Sequence, residues 1–269
     1  MKALTWDNVG ERLYEVGVSN VVLYPFNTTT NKYDTGVAWN GVSAVNESPS
    51  GAEATPIYAN NKKYLNLFSN EEYAATIEAY CSPEEFDECD GCKKPAKGVR
   101  IRQQARKPFG LCYRTEVGND SEQEAYGYVL HLIYGCMASP SEREHGTINE
   151  SPEVNPLSWE VSTTPIEVEG FKPTSVLEID STIVDDDAKM AALEEMLYGV
   201  TGPEFSDAKT YAVGDIVTHT ETAVSKVYKC TTAVTVAGEW DSSDWTEITN
   251  PAPHLPSPAE VIDLMGIAG

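Results

Sequence analysis

The alternation of apolar and polar residues in short segments constrains this chain most. Side chains of a β-strand point to opposite faces in turn, so a strand with one buried face repeats every two residues. The segments are rich in β-branched and aromatic residues and are bounded by Gly, Pro, Asn or Asp, which favour turns. We therefore predict a mainly β protein with strands that include Val18–Tyr24, Tyr73–Tyr80, Val99–Gln103, Leu111–Glu116, Ala125–Tyr134, Ser158–Thr163 and Ser175–Ile179.

Helical signals are fewer. Residues Asp186–Tyr198 begin with acids, place Met190, Leu193 and Leu197 on one face, and are followed by Gly199, a common stop residue. This pattern predicts a helix with one face packed on a sheet. The motif Ser-Pro-x-Glu, in which Ser caps the helix and Pro takes its first position, predicts three further helix starts. These starts are at Ser82, Ser139 and Ser257.

Charge sets limits on the partners. The 269 residues contain 42 Asp and Glu against 19 Lys and Arg, which gives a net charge of −23. A field of this sign repels phosphate, so it disfavours non-specific binding to DNA or to an anionic membrane. The first residues lack the apolar core of a signal peptide, and no stretch approaches the roughly 18 apolar residues of a membrane span. We expect a chain made in the cytosol, with no membrane partner.

Enzyme signatures are missing from the sequence. It has no Gly-x-Ser-x-Gly, no His-Glu-x-x-His, no phosphate-binding glycine loop and no dinucleotide fingerprint. The four histidines are scattered and give no base paired with a nucleophile. We predict a protein that is not an enzyme, with no catalytic residue and no cofactor.

The cysteines offer one metal-like spacing. Cys89 and Cys92 are two residues apart, and Cys81 and Cys112 could complete four ligands in space. A second close pair is missing, so the simpler interpretation is a tight Asp-Gly turn between two reduced thiols. This interpretation assigns no metal site.

A long polar stretch, about residues 28–65, interrupts the alternation. A loop of this length inside a compact domain is usually functional or ordered by a partner. We expect it to reach a neighbouring subunit, and a mere surface insertion is the alternative. Its candidate interface residues are Asn46, Glu47 and Ser48.

A basic strip, Lys93–Arg114, holds eight basic residues and no acid. On an acidic molecule, such a strip suits docking onto the acidic face of a second copy, because opposite charges steer an interface. Binding of nucleic acid is the alternative, but the strip lacks the interleaved aromatics that stack on bases. The candidate interface residues are Lys93, Lys94, Arg100, Arg102 and Arg106.

Several short motifs, in their order along residues 1–200, resemble the major tail tube proteins of bacteriophages with long non-contractile tails. No single motif is diagnostic, and their order and spacing carry the resemblance. The motifs are Phe109–Ser121, Tyr126–Gly135, Thr147–Pro152, Leu157–Pro165, Lys172–Thr174, Ile179–Ser181 and Glu194–Gly199.

The resemblance implies a β-sandwich with a flanking helix. Copies of it would close into rings, which are hexamers in that family, and the rings would stack into a hollow tube. It implies a place in the virion tail after assembly in the host cytoplasm, beside tape measure, tail terminator and distal tail proteins. DNA would pass through the lumen without specific binding, because an acidic lumen repels its backbone. The polar stretch would be the long loop that reaches the next ring.

One region departs from the family pattern. About fifty residues separate Leu197-Tyr-Gly199 from Leu255-Pro-Ser-Pro-Ala-Glu-Val261, which a short linker usually joins. Between them lie the segments Tyr211–Val217, Lys226–Thr231 and Gly238–Ile248. In this order they resemble small three-stranded carbohydrate-binding modules of the chitin-binding type. We therefore expect a tube domain of residues 1–203, to which 251–269 return, and an inserted module of residues 204–250 on the outside of the tube.

Sugar-binding modules stack aromatic rings on the apolar face of a pyranose. The candidates here are Tyr211, Tyr228, Trp240 and Trp245. A domain this small also needs aromatics in its core. The module pattern implies that three of them lie inside and that Trp240 is the exposed one.

These expectations lead to a structural virion protein whose module is a candidate for contact with a glycan on the host surface. The alternative is a carbohydrate-binding adhesin that forms a discrete oligomer, in which the large domain is only a scaffold.

Overall fold

The structure is a computed structural model that describes residues 4–143, 145–147, 154–221 and 224–266; the side chains of residues 124 and 125 are not described. The chain is mainly β, as the alternating segments predict. The strands are β1 (Tyr14–Asn27), β2 (Lys32–Tyr33), β3 (Val37–Ala38), β4 (Val42–Glu47), β5 (Ser50–Gly51), β6 (Ala54–Ala59), β7 (Lys62–Phe68), β8 (Glu71–Glu72), β9 (Ala74–Ala79), β10 (Lys93–Ala96), β11 (Val99–Ile101), β12 (Phe109–Asn119), β13 (Gln123–Ala138), β14 (Leu157–Thr163), β15 (Val176–Asp180), β16 (Ile216–Glu221), β17 (Val224–Cys230) and β18 (Trp245–Ile248).

The main sheet is antiparallel and has the order β2-β1-β12-β13-β14-β9-β4, with β15 paired to β13 and β3 paired to β1. All seven predicted strand segments lie in or overlap strands of the structure. The motif Thr147–Pro152 lies mostly outside the described residues, which omit 148–153.

Strand β13 bends at Gly135 and joins two layers of the sheet. Before the bend, residues 129–133 pair with β15; after it, residues 136–138 pair with β14. Gly135 has a φ of +63°, and a side chain there would collide with the carbonyl oxygen of Thr164, so only glycine fits. The first layer therefore contains β1, β12 and β15, and the second contains β14, β9 and β4.

The larger core lies between these layers. Leu23 and Leu111 of the first layer and Ile77 and Trp159 of the second belong to one buried cluster. Phe86 fills its centre, with its ring centroid 5.2 Å from that of Trp159 in an edge-to-face contact. Burying side chains of this size stabilises a fold by about 1.5–3 kcal/mol each.

The other face of the first layer is covered by two α-helices. Helix α1 (Asp187–Tyr198) has Asp186 as its N-cap, with the Asp186 carboxylate accepting from the Ala188 amide, and ends at Gly199. Its buried residues Met190, Leu193 and Leu197 pack against the sheet. The predicted helix and its buried face are confirmed.

Helix α2 (Pro258–Met265) begins with a complete capping box. The Ser257 hydroxyl accepts from the Glu260 amide, and the Glu260 carboxylate accepts from the Ser257 amide. This predicted start is confirmed. After Ser82 the chain forms only a 3₁₀ helix, Glu84–Asp87. Residues 140–143, directly after Ser139, form no helix, so the predicted start at Ser139 is wrong.

Strands β16, β17 and β18 form a separate antiparallel sheet with its own small core of Tyr211, Val217, Tyr228, Cys230 and Trp245. The chain leaves the large fold after α1 and returns close by, since the Val200 amide donates to the Pro251 carbonyl oxygen over 2.8 Å.

Candidate functional site

The polar stretch forms strands, so the expectation of a structureless loop is wrong. Strand β4 joins the main sheet beside β9. Further along the chain, β5 pairs with β8, and the hairpin of β6 and β7 lies between these two strands in sequence. Asn60 and Asn61 both have positive φ, 51° and 61°, as a two-residue type I′ turn requires. We call residues 52–70 the arm and the β5–β8 pair its neck.

Both faces of the arm carry apolar side chains, and every residue of its two strands is exposed. Ile57 is opposite Leu65 on one face. Phe68 lies on the other face and is 69% exposed, and Tyr64, at the register shift between the Ile57–Leu65 and Tyr58–Lys63 pairs, is 72% exposed. An isolated two-stranded hairpin is only marginally stable in water, and exposed apolar surface of this kind marks a contact surface. The arm therefore has the character of a contact element.

The tip of the arm is basic. Lys62 and Lys63 follow the turn directly and are exposed, on a molecule whose net charge is −23. The tip therefore complements the prevailing charge of any other copy of the chain. Sequence reasoning missed the arm, although residues that alternate around Asn60-Asn61 are a hairpin signal.

The three predicted interface residues of the stretch lie just before the neck. Asn46 pairs with Thr76 across the sheet, and the Ser48 amide donates to the Ala74 carbonyl oxygen. The Glu47 carboxylate accepts a hydrogen bond from the Tyr113 hydroxyl. All three are exposed, but they belong to the sheet rather than to the projecting arm.

A second apolar segment is exposed at the N-terminal side of β1. Trp6 is 76% exposed, and Leu4 and Val9 are also exposed. The Gly10 amide donates to the Asp120 carboxylate over 2.9 Å, which holds this segment near the turn between β12 and β13.

Acids of the same chain neutralise much of the basic strip. Lys94 Nζ lies 3.0 Å from an oxygen of Asp87, and Arg100 Nε lies 2.7 Å from the same oxygen. Arg102 and Arg106 lie 3.6 and 3.8 Å from carboxylate oxygens of Asp90. These ion pairs offset part of the strip's positive charge, while residues 93–103 remain exposed. Docking of the strip onto a second copy stays a prediction.

The two acids sit on the 3₁₀ helix and the turn after it, only a few residues before the strip. Burial lowers the pKa of Lys94, but its hydrogen bonds to Asp87 and Glu84 outweigh this and raise the pKa overall. Lys93 also lies in this region, on the exposed β10, and has no ion pair with the described residues. The charge count over Lys93–Arg114 did not include Asp87 and Asp90, because both acids precede the strip in the sequence.

The aromatic candidates of the small sheet pack on one another. Tyr211, Tyr228 and Trp245 are buried. Trp240 stacks on His219, with ring centroids 4.0 Å apart and 12° between the planes, and on Trp245 at 5.0 Å and 18°. Trp240 is therefore half-buried, and the expectation of an exposed ring is wrong. His219 and Trp245 cover ring surface of Trp240 that a sugar would need for stacking.

The four candidate thiols do not come together. Cys89 belongs to the core between the layers, whereas Cys112 lies in the core on the helix side of the sheet. Cys81 is exposed, and its thiol donates to the Asn40 carbonyl oxygen. Burial raises the pKa of Cys89 to about 12, so this thiol is a poor source of thiolate for a metal. The interpretation of Cys89 and Cys92 as thiols beside a turn fits better.

No protein-family model matches the chain, and no curated protein matches it. Neither described α-helix combines the length and the hydrophobicity that crossing a bilayer requires.

Proposed function

We propose that the chain is a structural virion protein, the subunit of a phage tail tube, which assembles with copies of itself into stacked rings. The arm carries the proposal, because it exposes apolar side chains on both faces and is covered by nothing in the described chain. The tail tube resemblance of the motifs in residues 109–199 supports the same function.

A second copy is the partner that suits the arm best. The arm tip is basic, while the chain as a whole carries −23, so tip and body of two copies attract. A contact between the arm of one copy and a different surface of the next is heterologous, and repetition of such a contact makes an open-ended stack rather than a closed pair.

The net negative charge of the chain also bears on how DNA would move through the proposed tube. A lumen lined by carboxylates repels the phosphates of DNA, so DNA would pass without specific binding. The tail tube resemblance alone supplies the other proposed partners, which are tape measure, tail terminator and distal tail proteins. It is also the only basis for the hexameric ring and for the location in the virion.

The small sheet fits the proposal as an inserted module of residues 204–250, on the outside of the tube. Its own core and the closeness of Val200 and Pro251 support an insertion, because a module whose ends meet can enter an exposed connection without distorting it. Contact with a host glycan stays part of the proposal, but the packing of Trp240 gives it no support.

Electron microscopy of the purified full chain at increasing concentration tests the proposal. We expect open-ended tubes of uniform diameter, and we expect the double variant Tyr64→Ser/Phe68→Ser to raise the concentration at which they form. Phe171→Ser is the matched control, because Phe171 is similarly exposed but lies outside the arm.

Two results would count against this function. Particles of one fixed size at every concentration, together with glycan binding, would favour the adhesin. Tubes that form equally well with the arm variant would remove the role of the arm.

A further inference from the structure

A histidine in the first layer of the sheet lies among acids from three other strands. His131 of β13 is directly opposite Glu178 of β15 in the strand register. Glu47 approaches from the end of β4, and Glu15 approaches from β1. The His131 side chain is only 7% exposed, so this cluster differs from a group of solvated surface charges.

One ring nitrogen of His131 has a hydrogen-bond partner. Nε2 lies 2.9 Å from the Thr115 hydroxyl, which in turn donates to a Glu15 carboxylate oxygen over 2.5 Å. Because the Thr115 proton is used on Glu15, the Thr115 oxygen is free to accept, and Nε2 is the nitrogen that carries hydrogen. A relay of this kind is how proteins orient an imidazole ring.

The other ring nitrogen is buried and has no hydrogen-bond partner among the described residues. With hydrogen on Nε2, Nδ1 presents a lone pair. It lies 3.7 Å from an oxygen of Glu178 and 3.8 Å from an oxygen of Glu47, beyond the reach of a hydrogen bond. Three electron-rich atoms that face one another repel unless a cation lies between them.

We propose that Nδ1 of His131 and the carboxylates of Glu47 and Glu178 bind one first-row divalent cation, with water in the remaining positions. The three ligand atoms lie within 4.8 Å of one another. Bonds of about 2.0–2.1 Å to tetrahedral Zn²⁺ place ligands roughly 3.4 Å apart. Nδ1 is within a few tenths of an ångström of that distance from both oxygens, and the two carboxylate oxygens, which lie within 4.8 Å of each other, would approach by up to about 1.4 Å. One imidazole with two carboxylates suits Zn²⁺ or Mn²⁺ better than Ca²⁺ or Mg²⁺, which prefer oxygen ligands alone.

The surroundings hold two of the ligands in position. The Tyr113 ring stacks on the imidazole of His131, with centroids 4.5 Å apart and 6° between the planes. The Tyr113 hydroxyl also donates to Glu47. One side chain therefore orients both the nitrogen ligand and one oxygen ligand, whereas Glu178 is largely exposed and free to adjust.

The cation would join three strands that are distant in sequence. Glu47 is the last residue of β4, just before the neck of the arm, so a bound ion would fix the start of the arm to β13 and β15. The site stands on its own geometry and does not depend on the proposed tube function.

Zn²⁺ titration of the full chain, after removal of metal with a chelator, tests the proposal. Calorimetry measures affinity and stoichiometry, and ¹⁵N NMR of the histidine rings reports on Nδ1 of His131. The variants are Glu178→Gln and Glu47→Gln. Glu160→Gln is the matched control, because Glu160 is an exposed strand carboxylate outside the cluster. Ca²⁺ is the control ion.

We expect one Zn²⁺ per chain at this site, a large shift of the His131 Nδ1 resonance with Zn²⁺ but not with Ca²⁺, and a loss of affinity of at least about tenfold in both variants. Glu160→Gln should bind as the wild type does. Equal affinity in Glu178→Gln and the wild type, or an Nδ1 resonance that saturating Zn²⁺ leaves unchanged, would overturn the proposal.

Discussion

Tyr24 of the sheet donates a hydrogen bond from its hydroxyl to the carbonyl oxygen of Leu197 in the last turn of helix α1, over 2.7 Å and across 173 residues of sequence. Both residues are fully buried. Burial raises the pKa of the Tyr24 hydroxyl well above its usual range, so it stays a donor at any pH at which the protein is folded.

We expect Tyr24→Phe to lower the free energy of unfolding by about 1–2 kcal/mol, because it leaves a buried carbonyl oxygen without its partner. Chemical denaturation measures this loss. Tyr80→Phe is the control, since the Tyr80 side chain is exposed. An equal, small effect of both changes would mean that the bond contributes little.

The capping box of α2 predicts a dependence on pH. The hydrogen bond from the Ser257 amide lowers the pKa of Glu260 below its ordinary value near 4.5. A carboxylate whose pKa is lower in the folded state stabilises the fold above the unfolded pKa, and this stabilisation is lost as the pH falls through the folded pKa. We expect Glu260→Gln to be less stable than the wild type at neutral pH, with the difference shrinking as the pH falls below the ordinary value near 4.5 and disappearing once the pH is below the folded pKa.

Removal of the Ser257 hydroxyl, the other half of the capping box, should lower the free energy of unfolding by about 1 kcal/mol, a typical value for loss of an N-cap hydroxyl. The change is Ser257→Ala, measured by thermal unfolding at neutral pH. Ser257→Asp keeps a cap and should stay close to the wild type. If the alanine and aspartate variants melt together, the cap has no measurable role.

The cysteines should differ sharply in reactivity. Cys81 is exposed, whereas the other five are buried. Burial also raises the pKa of Cys112 and Cys136, which disfavours the reactive thiolate. We expect one thiol per folded chain to react quickly with an aromatic disulfide at pH 8, and all six after denaturation. Cys81→Ser should abolish the fast reaction; a fast phase that persists would mean that a buried thiol becomes accessible.

The turn of the arm predicts a difference between two substitutions. Asn61 has a φ of 61°, which glycine adopts freely and a β-branched residue does not. We expect Asn61→Gly to keep the pairing of Tyr58 with Lys63 and Asn61→Val to disrupt it, as seen in cross-strand NMR contacts. The main sheet should be unaffected by either change, because the arm strands are exposed throughout.

Replacing residues 204–250 by a short Gly-Ser linker should leave the large fold intact. The flanking chain is already joined by the bond from Val200 to Pro251. The deletion removes the ion pair in which Lys229 Nζ lies 2.6 Å from Glu195, and such partly exposed pairs contribute about 0–1 kcal/mol. Circular dichroism and thermal unfolding check this. Loss of folding would show that the small sheet supports the large one.

The sequence predicts elements better than it predicts the surfaces they form. The seven strand segments, α1 and the capped start of α2 are all encoded by local period and capping residues, and the structure contains each of them. The arm was missed because its alternation is weak and its neighbours are polar. No local pattern could bring His131, Glu47 and Glu178 together, since strand pairing and the folding over of the sheet do so.

The partners of the basic strip and of Trp240 were hidden from sequence reasoning for a related reason. A count of charged and aromatic side chains does not show which groups those side chains contact in the folded chain. The acids that face Arg100 and Arg102 lie just before the strip, and the rings that cover Trp240 come from both sides of it in sequence. Whether a side chain is free depends on neighbours that only the folded chain defines.

The bend of β13 at Gly135 has a mechanical consequence. Because one continuous strand belongs to both layers, a pull along it is resisted by its bonds to β15 before the bend, to β14 after it and to β12 on both sides. Hydrogen bonds that run across the direction of pull are loaded in shear and must break together, not one after another. A load along β13 therefore acts on both layers at once.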